Sequence, residues 1–188
     1  MVHRSFIGIF PTQEVISQLA RLQSYIKKLN TPFRWEEQIK FHITLSFLGD
    51  KDEVWLQELF SNLTKTFSSQ KKFSISLLRF GLFSQRAIPR TLWIGSHREE
   101  NFELCTIADA VQNICVELGH TKEEKTFHPH ITIGRAKAQR RISLHLITKI
   151  ENTFFEPLQF ACNEIRIMKS VLHEKGSHYT TLFTVPLR

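Results

Sequence analysis

The sequence predicts a single domain of alternating strands and helices whose second half repeats the first. Apolar residues recur at strand and helix spacing throughout, and no polar linker or low-complexity stretch interrupts the 188 residues. The order strand, helix, strand is expected between residues 4 and 49, and again between residues 90 and 135. This correspondence indicates an internal duplication within a domain that spans residues 1–188.

Each element is predicted from its apolar spacing and its end signals. The first half is expected to contain a strand over 4–10, a helix over 12–30, a strand over 41–48 that ends at Gly49, a helix through 67 and a strand over 73–80. Asp50 and Glu53 have the spacing of a capping box, which predicts the start of the second helix. The second half is expected to contain a strand over 91–95, a helix over 104–118 stopped by Gly119, a strand over 131–135 and strands over 158–173 and 179–187. Residues 142–150 fit a helix or a strand equally well.

The composition predicts a soluble cytoplasmic protein with some attraction for polyanions. Twenty-five Lys and Arg face 18 Asp and Glu, a formal charge of +7, although the basic residues are scattered. One short basic cluster comprises Arg135, Lys137, Arg140 and Arg141. The N-terminus has too few apolar residues for a signal peptide, and no stretch approaches the roughly 18 apolar residues of a membrane span. Three cysteines without a CxxC spacing suit reduced, buried thiols.

Two His-x-Thr segments occupy equivalent places in the repeated units. In 41–47 the residues alternate, so Phe41, Ile43, Leu45 and Phe47 are predicted on the core face, and His42, Thr44 and Ser46 on the other. In 128–135 the same parity places His130 with Thr132. A third triplet starts at His178, but it follows Gly176 outside the repeat, so we interpret it as ordinary strand.

These segments resemble those of the 2H phosphoesterases, in particular the RNA 2′,3′-cyclic phosphodiesterases of bacteria and archaea historically called 2′-5′ RNA ligases. The resemblance covers nearly the whole chain, in the order and spacing of that family. It is carried by RW at 34–35, FHITLSFLG at 41–49, PRTLWIG at 89–95, FHPHITIGR at 127–135 and the closing segment 179–187. It implies a bilobed α+β fold in which two pseudo-symmetric antiparallel sheets, with helices on the outside, form a central cleft. It also implies that no cofactor or metal is needed.

The resemblance implies hydrolysis of RNA 2′,3′-cyclic phosphate ends to 2′-phosphomonoesters. We also expect the protein to be a monomer. His42 is then the proton donor to the leaving 3′-oxygen and His130 the base toward water, although spacing alone does not decide which ring does which. Imidazoles titrate near pH 6.5, so a charged and a neutral ring can coexist near neutrality. The hydroxyls of Thr44 and Thr132 can bind phosphate oxygens.

Four further interpretations stay open at this point. Arg135 can bind phosphate, yet strict alternation places it on the core face unless the strand kinks near Gly134. Trp35 and Phe127 can be core residues or platforms for a base. His128 is interpreted as a satisfied strand histidine, with a zinc site formed with His130 and His42 as the alternative. The alternative functions are 2′-5′ ligation, hydrolysis of a small cyclic nucleotide and non-catalytic RNA binding.

Overall fold

The computed structural model describes residues 1–85, 88–137, 142–173 and 176–188. Arg140 and Arg141 of the basic cluster lie outside these ranges. Ten strands are described: β1 (Val2–Ile9), β2 (Phe33–Trp35), β3 (Ile43–Asp52), β4 (Phe73–Leu77), β5 (Arg79–Gln85), β6 (Ile88–Gly95), β7 (His130–Ala136), β8 (Leu158–Cys162), β9 (Glu164–His173) and β10 (Gly176–Pro186). The four helices of the described ranges are α1 (Gln13–Lys27), α2 (Glu53–Phe67), α3 (Phe102–Glu117) and α4 (Leu144–Glu151). The predicted α+β class is confirmed.

Two groups of antiparallel strands meet at the centre of the main sheet. Its order is β10-β9-β1-β3-β7-β6-β5, and β2 also pairs with β7, while β4 and β8 form a separate pair. Strands β3 and β7 share one residue pair, Ile43 with Ile131, and both side chains are fully buried. The sheet is therefore two strand groups joined at the two His-x-Thr strands.

The helices cover the apolar side of the strands. Helix α1 packs on β8, α2 on β10, α3 on β3 and α4 on β5. Leu19, Leu59 and Val111, one from each of the three longer helices, are fully buried in a common hydrophobic core. Cys105, Cys115 and Cys162 are buried and unpaired, in agreement with the expectation of reduced thiols. Among the described residues, no helix combines the length and the apolar character that crossing a membrane requires.

Several predicted boundaries are wrong. The strand predicted to end at Gly49 continues to Asp52, because that segment keeps pairing with β1 as far as Val2. The helix cap is therefore Asp52, whose side chain accepts from the Trp55 N–H at 2.8 Å, and the predicted capping box at Asp50 is wrong. The strand predicted over 73–80 divides into β4 and β5, and that over 158–173 into β8 and β9. The segment left open is helix α4.

Candidate active site

The pairing of Ile43 with Ile131 brings the two His-x-Thr segments side by side. Because the strands are antiparallel, His42 lies toward Thr132 and Thr44 toward His130. All four side chains project from the face opposite the buried isoleucines and are half-buried. The predicted residues thus form one cluster with an approximate two-fold arrangement.

Both imidazoles are oriented by the same local hydrogen bond. His42 Nδ1 lies 2.6 Å from the Lys40 carbonyl oxygen, and His130 Nδ1 lies 2.7 Å from the His128 carbonyl oxygen. A carbonyl only accepts, so each Nδ1 carries the proton and each Nε2 is left for chemistry. The Thr44 hydroxyl lies 3.0 Å from His42 Nε2.

A matched pair of β-bulges decides which side chains face the cleft. Strand β3 skips Leu45 in its pairing with β1, and β7 skips Ile133 in its pairing with β6. An extra residue reverses the alternation beyond it. Arg135 is consequently turned to the cleft, where it lines the same cavity as His42, and Phe47 is exposed instead of being core. The predicted positions of Phe47 and Ser46 are wrong, since Ser46 is 1% exposed.

The two imidazoles have different surroundings. The rings of Phe6, Phe10 and Tyr179 lie 4.7–5.5 Å from the His42 ring, and burial there lowers the pKa of His42 below its usual range. The hydrogen bond to the Lys40 carbonyl and the charge of Glu36 oppose this lowering.

His130 lacks a comparable acidic influence. Burial lowers the pKa of His130 to about 4, against the opposing effect of the hydrogen bond to the His128 carbonyl. Positive charge on His128, His42 and Arg135 lowers it further. At the His42 end, therefore, the charge of Glu36 opposes that of Arg135, whereas at the His130 end the neighbouring charges all disfavour the protonated ring.

Comparison with known proteins places the chain in a family. A family model described as "LigT like Phosphoesterase" matches residues 9–93. The RNA 2′,3′-cyclic phosphodiesterase of Aeropyrum pernix is 31% identical over 171 residues, covering 91% of this chain and 96% of that protein. The protein of the same name from Thermotoga maritima is 31% identical over 180 residues, covering 96% and 93%. This chain belongs to the LigT-like phosphoesterases, the 2H family.

Solved structures of LigT-like proteins share its fold. Escherichia coli LigT complexed with 3′-AMP superposes with a TM-score of 0.78 at 22% identity, covering 100% of this chain and 99% of that one. TT0787 of Thermus thermophilus gives a TM-score of 0.78 at 23% identity, covering 98% of each chain. The predicted LigT-like fold is confirmed.

The cleft of this phosphoesterase contains residues that the sequence reasoning missed. Tyr179 of β10 contacts the His42 ring. Its neighbour His178, the first residue of the third His-x-Thr triplet, lies beside His173 instead. Glu36 forms an ion pair with Arg135, with 2.8 Å between Oε1 and Nε. Both residues adjoin or belong to segments that carry the family resemblance, but no periodic pattern distinguishes them from surface residues.

Two cavities of this phosphoesterase open on either side of the histidine pair. The cavity of about 800 Å³ reaches His130 and Thr44, and the cavity of about 630 Å³ reaches His42 and Arg135. Phe127 lines the first and Trp35 the second, and both also pack against the core, so each is a core residue with one face on the cleft.

His128 lies beside His130 and packs against an aromatic residue. Its Nδ1 is buried and meets no acceptor at hydrogen-bond geometry among the described residues, whereas the backbone of Pro129 opposes the lowering of its pKa, so the satisfied histidine stays a prediction. Its ring packs 4.6 Å from Trp93, and burial lowers the pKa of His128. Within the described ranges, no three His, Cys, Asp or Glu side chains converge in a way that could hold a metal ion.

Proposed function

We propose that this chain hydrolyses RNA 2′,3′-cyclic phosphate ends to 2′-phosphomonoesters by paired histidine catalysis without a metal. The observation that carries the proposal is the pairing of Ile43 with Ile131, which aligns two imidazoles with the same tautomer beside one cleft. The names of the relatives from Aeropyrum pernix and Thermotoga maritima support the choice of substrate.

The reaction needs a base for water and an acid for the departing ribose oxygen on opposite sides of phosphorus. His130 Nε2 takes the proton of the attacking water, and protonated His42 Nε2 donates to the 3′-oxygen as the P–O3′ bond breaks. The assignment is supported by the charges around the rings. Arg135 disfavours the protonated form of both imidazoles, but at His42 the charge of Glu36 opposes this effect. Neither proton transfer requires a metal.

Three further side chains are proposed to hold the phosphate. The hydroxyls of Thr44 and Thr132 lie on the same strand face as the histidines and can donate to non-bridging oxygens. The guanidinium of Arg135 can contact two phosphate oxygens and neutralise the charge that grows on them in the transition state.

The direct test uses EDTA-treated protein and an oligonucleotide that ends in a 2′,3′-cyclic phosphate. The expected product ends in a 2′-phosphate, which chromatography against 2′- and 3′-phosphate standards identifies. A 3′-phosphate product would contradict the assigned leaving oxygen, and activity restored only by added zinc would support the metal alternative. Salt-dependent RNA binding without any product would indicate a non-catalytic module.

The pH dependence of kcat/KM reports the two imidazoles of the free enzyme. His130 must be neutral, so activity should rise with pH through its pKa of about 4. His42 must be protonated, and its lowered pKa places the falling limb below about pH 6.5. We therefore expect a bell with an acidic optimum, measured between pH 3.5 and 9. A rate that stays level from pH 5 to 8 would contradict the paired mechanism.

Ligation through a 2′-5′ linkage is a second candidate in the same site. In that reaction an RNA 5′-hydroxyl takes the place of water on the His130 side, and His130 accepts its proton. The cavity there is about 800 Å³, within the roughly 300–1,000 Å³ of small-molecule sites and far larger than a water molecule needs. Comparing turnover of an oligonucleotide and a mononucleotide cyclic phosphate, with and without a 5′-hydroxyl acceptor, separates these activities.

We also propose that residues 1–188 act as one bilobed domain with a repeat over 4–49 and 90–135. The bulges at Leu45 and Ile133 and the paired histidine–carbonyl hydrogen bonds support the repeat. We further propose a monomer, which size-exclusion chromatography tests. The buried thiols support a reducing, cytoplasmic setting.

A further inference from the structure

We propose that Glu36 is a positioning residue of this site. Its carboxylate orients Arg135 and places negative charge at the His42 end of the cleft. His42 is therefore the imidazole that carries the proton given to the leaving oxygen. This inference rests on the proposed function. Glu36 follows β2, which pairs with β7 at Arg135 and its two neighbours.

The backbone of Glu36 is attached to the bulge that turns Arg135 toward the cleft. The Glu36 N–H donates to the Ile133 carbonyl at 3.1 Å. The Gln23 amide donates from Nε2 to the carbonyl oxygens of both Glu36 and Ile133, each at 2.8 Å. Two segments that are about 100 residues apart in sequence are thereby held together at the skipped residue of β7. This arrangement fixes the backbone position from which the Glu36 side chain reaches Arg135.

The carboxylate of Glu36 contacts the guanidinium at one specific nitrogen. Oε1 accepts from Arg135 Nε at 2.8 Å, so the two Nη nitrogens are the ones that can reach a phosphate. The Glu36 side chain is 20% exposed and that of Arg135 is 49% exposed. The carboxylate is thus the more buried partner, and it lines the same cavity as Arg135 and His42.

The charged groups around His42 come from several elements, and Glu36 is the carboxylate that acts on the ring. Arg135 opposes it from β7. Tyr179 on β10 is neutral at working pH, because burial raises the pKa of its phenol. Lys40 contributes its carbonyl to His42, while its ammonium pairs with Glu37. Further groups are Arg166 of β9, which lies over the Phe10 ring, and His130, whose own charge is disfavoured. The cavity that His42 lines together with Glu36 is also lined by Arg4 of β1, Arg34 of β2 and His173 of β9.

Glu37 provides a matched control from the neighbouring position. Its carboxylate pairs with Lys40 Nζ at 2.9 Å, and its side chain is 63% exposed. It has the same charge and chemistry as Glu36, but it does not contribute to the lowering or raising of the pKa of His42. A general effect of net charge on the cleft would therefore be similar for Glu36→Gln and Glu37→Gln.

The experiment titrates His42 and His130 by NMR in the free protein and measures kcat/KM against pH for Glu36→Gln, Glu36→Asp and Glu37→Gln. In Glu36→Gln the pKa of His42 should fall by about half to one unit, a shift typical of a partly screened charge. The falling limb of kcat/KM should move down in pH by the same amount, lowering activity about three- to tenfold above neutral pH. Glu36→Asp should restore part of this shift, and Glu37→Gln should leave both limbs in place.

A uniform loss of kcat/KM at every pH in Glu36→Gln, with the titration of His42 unmoved, would overturn the inference and indicate a structural role. Equal shifts in Glu36→Gln and Glu37→Gln would overturn it as well. The NMR titration needs no substrate, so it tests the link between Glu36 and His42 even if the wild type fails to hydrolyse cyclic phosphates. That failure would be a failure of the proposed function alone.

Discussion

Replacing either His42 or His130 with alanine is expected to lower kcat on a 2′,3′-cyclic phosphate end by about 10²- to 10⁴-fold, the usual contribution of a positioned acid or base. Each variant removes one proton transfer and leaves the other ring, both threonines and Arg135 in place. Substrate affinity should change much less than kcat, because the phosphate contacts proposed for Thr44, Thr132 and Arg135 remain. Single-turnover kinetics and equilibrium binding, measured on the same oligonucleotide, separate the two quantities.

His178→Ala is the matched control for this prediction. His178 opens the third His-x-Thr triplet, but it lies in β10 with its ring 6.4 Å from His173. The variant should retain wild-type kcat within a factor of about two, since no acid or base role is assigned to it. Full activity in His42→Ala or His130→Ala would remove the paired mechanism. An equal loss in all three variants would point to a general sensitivity of the fold to histidine replacement.

Gly95→Ala is expected to damage both stability and activity. Gly95 pairs with His130 across β6 and β7, and a methyl group there would lie 2.2 Å from the Pro129 carbonyl oxygen and 3.0 Å from the His130 Cα. The obstructing atoms are backbone, so the strands must separate, and overpacking of this kind costs about 1–3 kcal/mol. For a chain of this size that is a fall in Tm of about 2–12 °C. Displacement of His130 should also lower kcat at least tenfold, since a shift of about 1 Å can have large effects.

Gly8→Ala supplies the comparison from the other strand group. A methyl group at Gly8 would lie 3.0 Å from the Ile43 carbonyl oxygen and 3.4 Å from His42 Cδ2, so a displacement of a few tenths of an ångström relieves the contact. Thermal unfolding and kcat should change less than in Gly95→Ala. If Gly95→Ala kept wild-type Tm and kcat, β6 and β7 would have to lie further apart at His130 than they do in this structure.

Local patterns were sufficient for those parts of the fold that depend on neighbouring residues. The apolar stripe ending near Asn30 predicts α1 because side chains three and four positions apart share a helix face. The helix stop at Gly119 is confirmed, with a positive φ of 79° at that glycine. Local patterns failed at Asp50, since the competing interaction was the pairing of β3 with β1, whose residues are distant in sequence.

The parts of the site that could not be predicted depend on pairing between distant strands. Alternation placed Arg135 in the core and Phe47 beside Ile43. Both placements reverse because an unpaired residue precedes each of them, Ile133 in β7 and Leu45 in β3. A bulge is a property of two strands in register, so the sequence of one strand does not reveal it. The importance of Glu36 is equally invisible, since its contact with Arg135 joins residues 99 positions apart.

The sequence by itself determined that two His-x-Thr strands lie at equivalent places of a repeated pattern, and with the family resemblance this was enough to predict the fold and the four central side chains. Only the tertiary structure decided that Arg135 faces the cleft, that Tyr179 packs on His42 and that Glu36 makes the two ends of the site electrostatically different. The physical reason is the separation in sequence of the residues that interact. Periodicity and capping act between near neighbours, whereas strand register and the charge around a buried imidazole are set by segments that meet only in the folded chain.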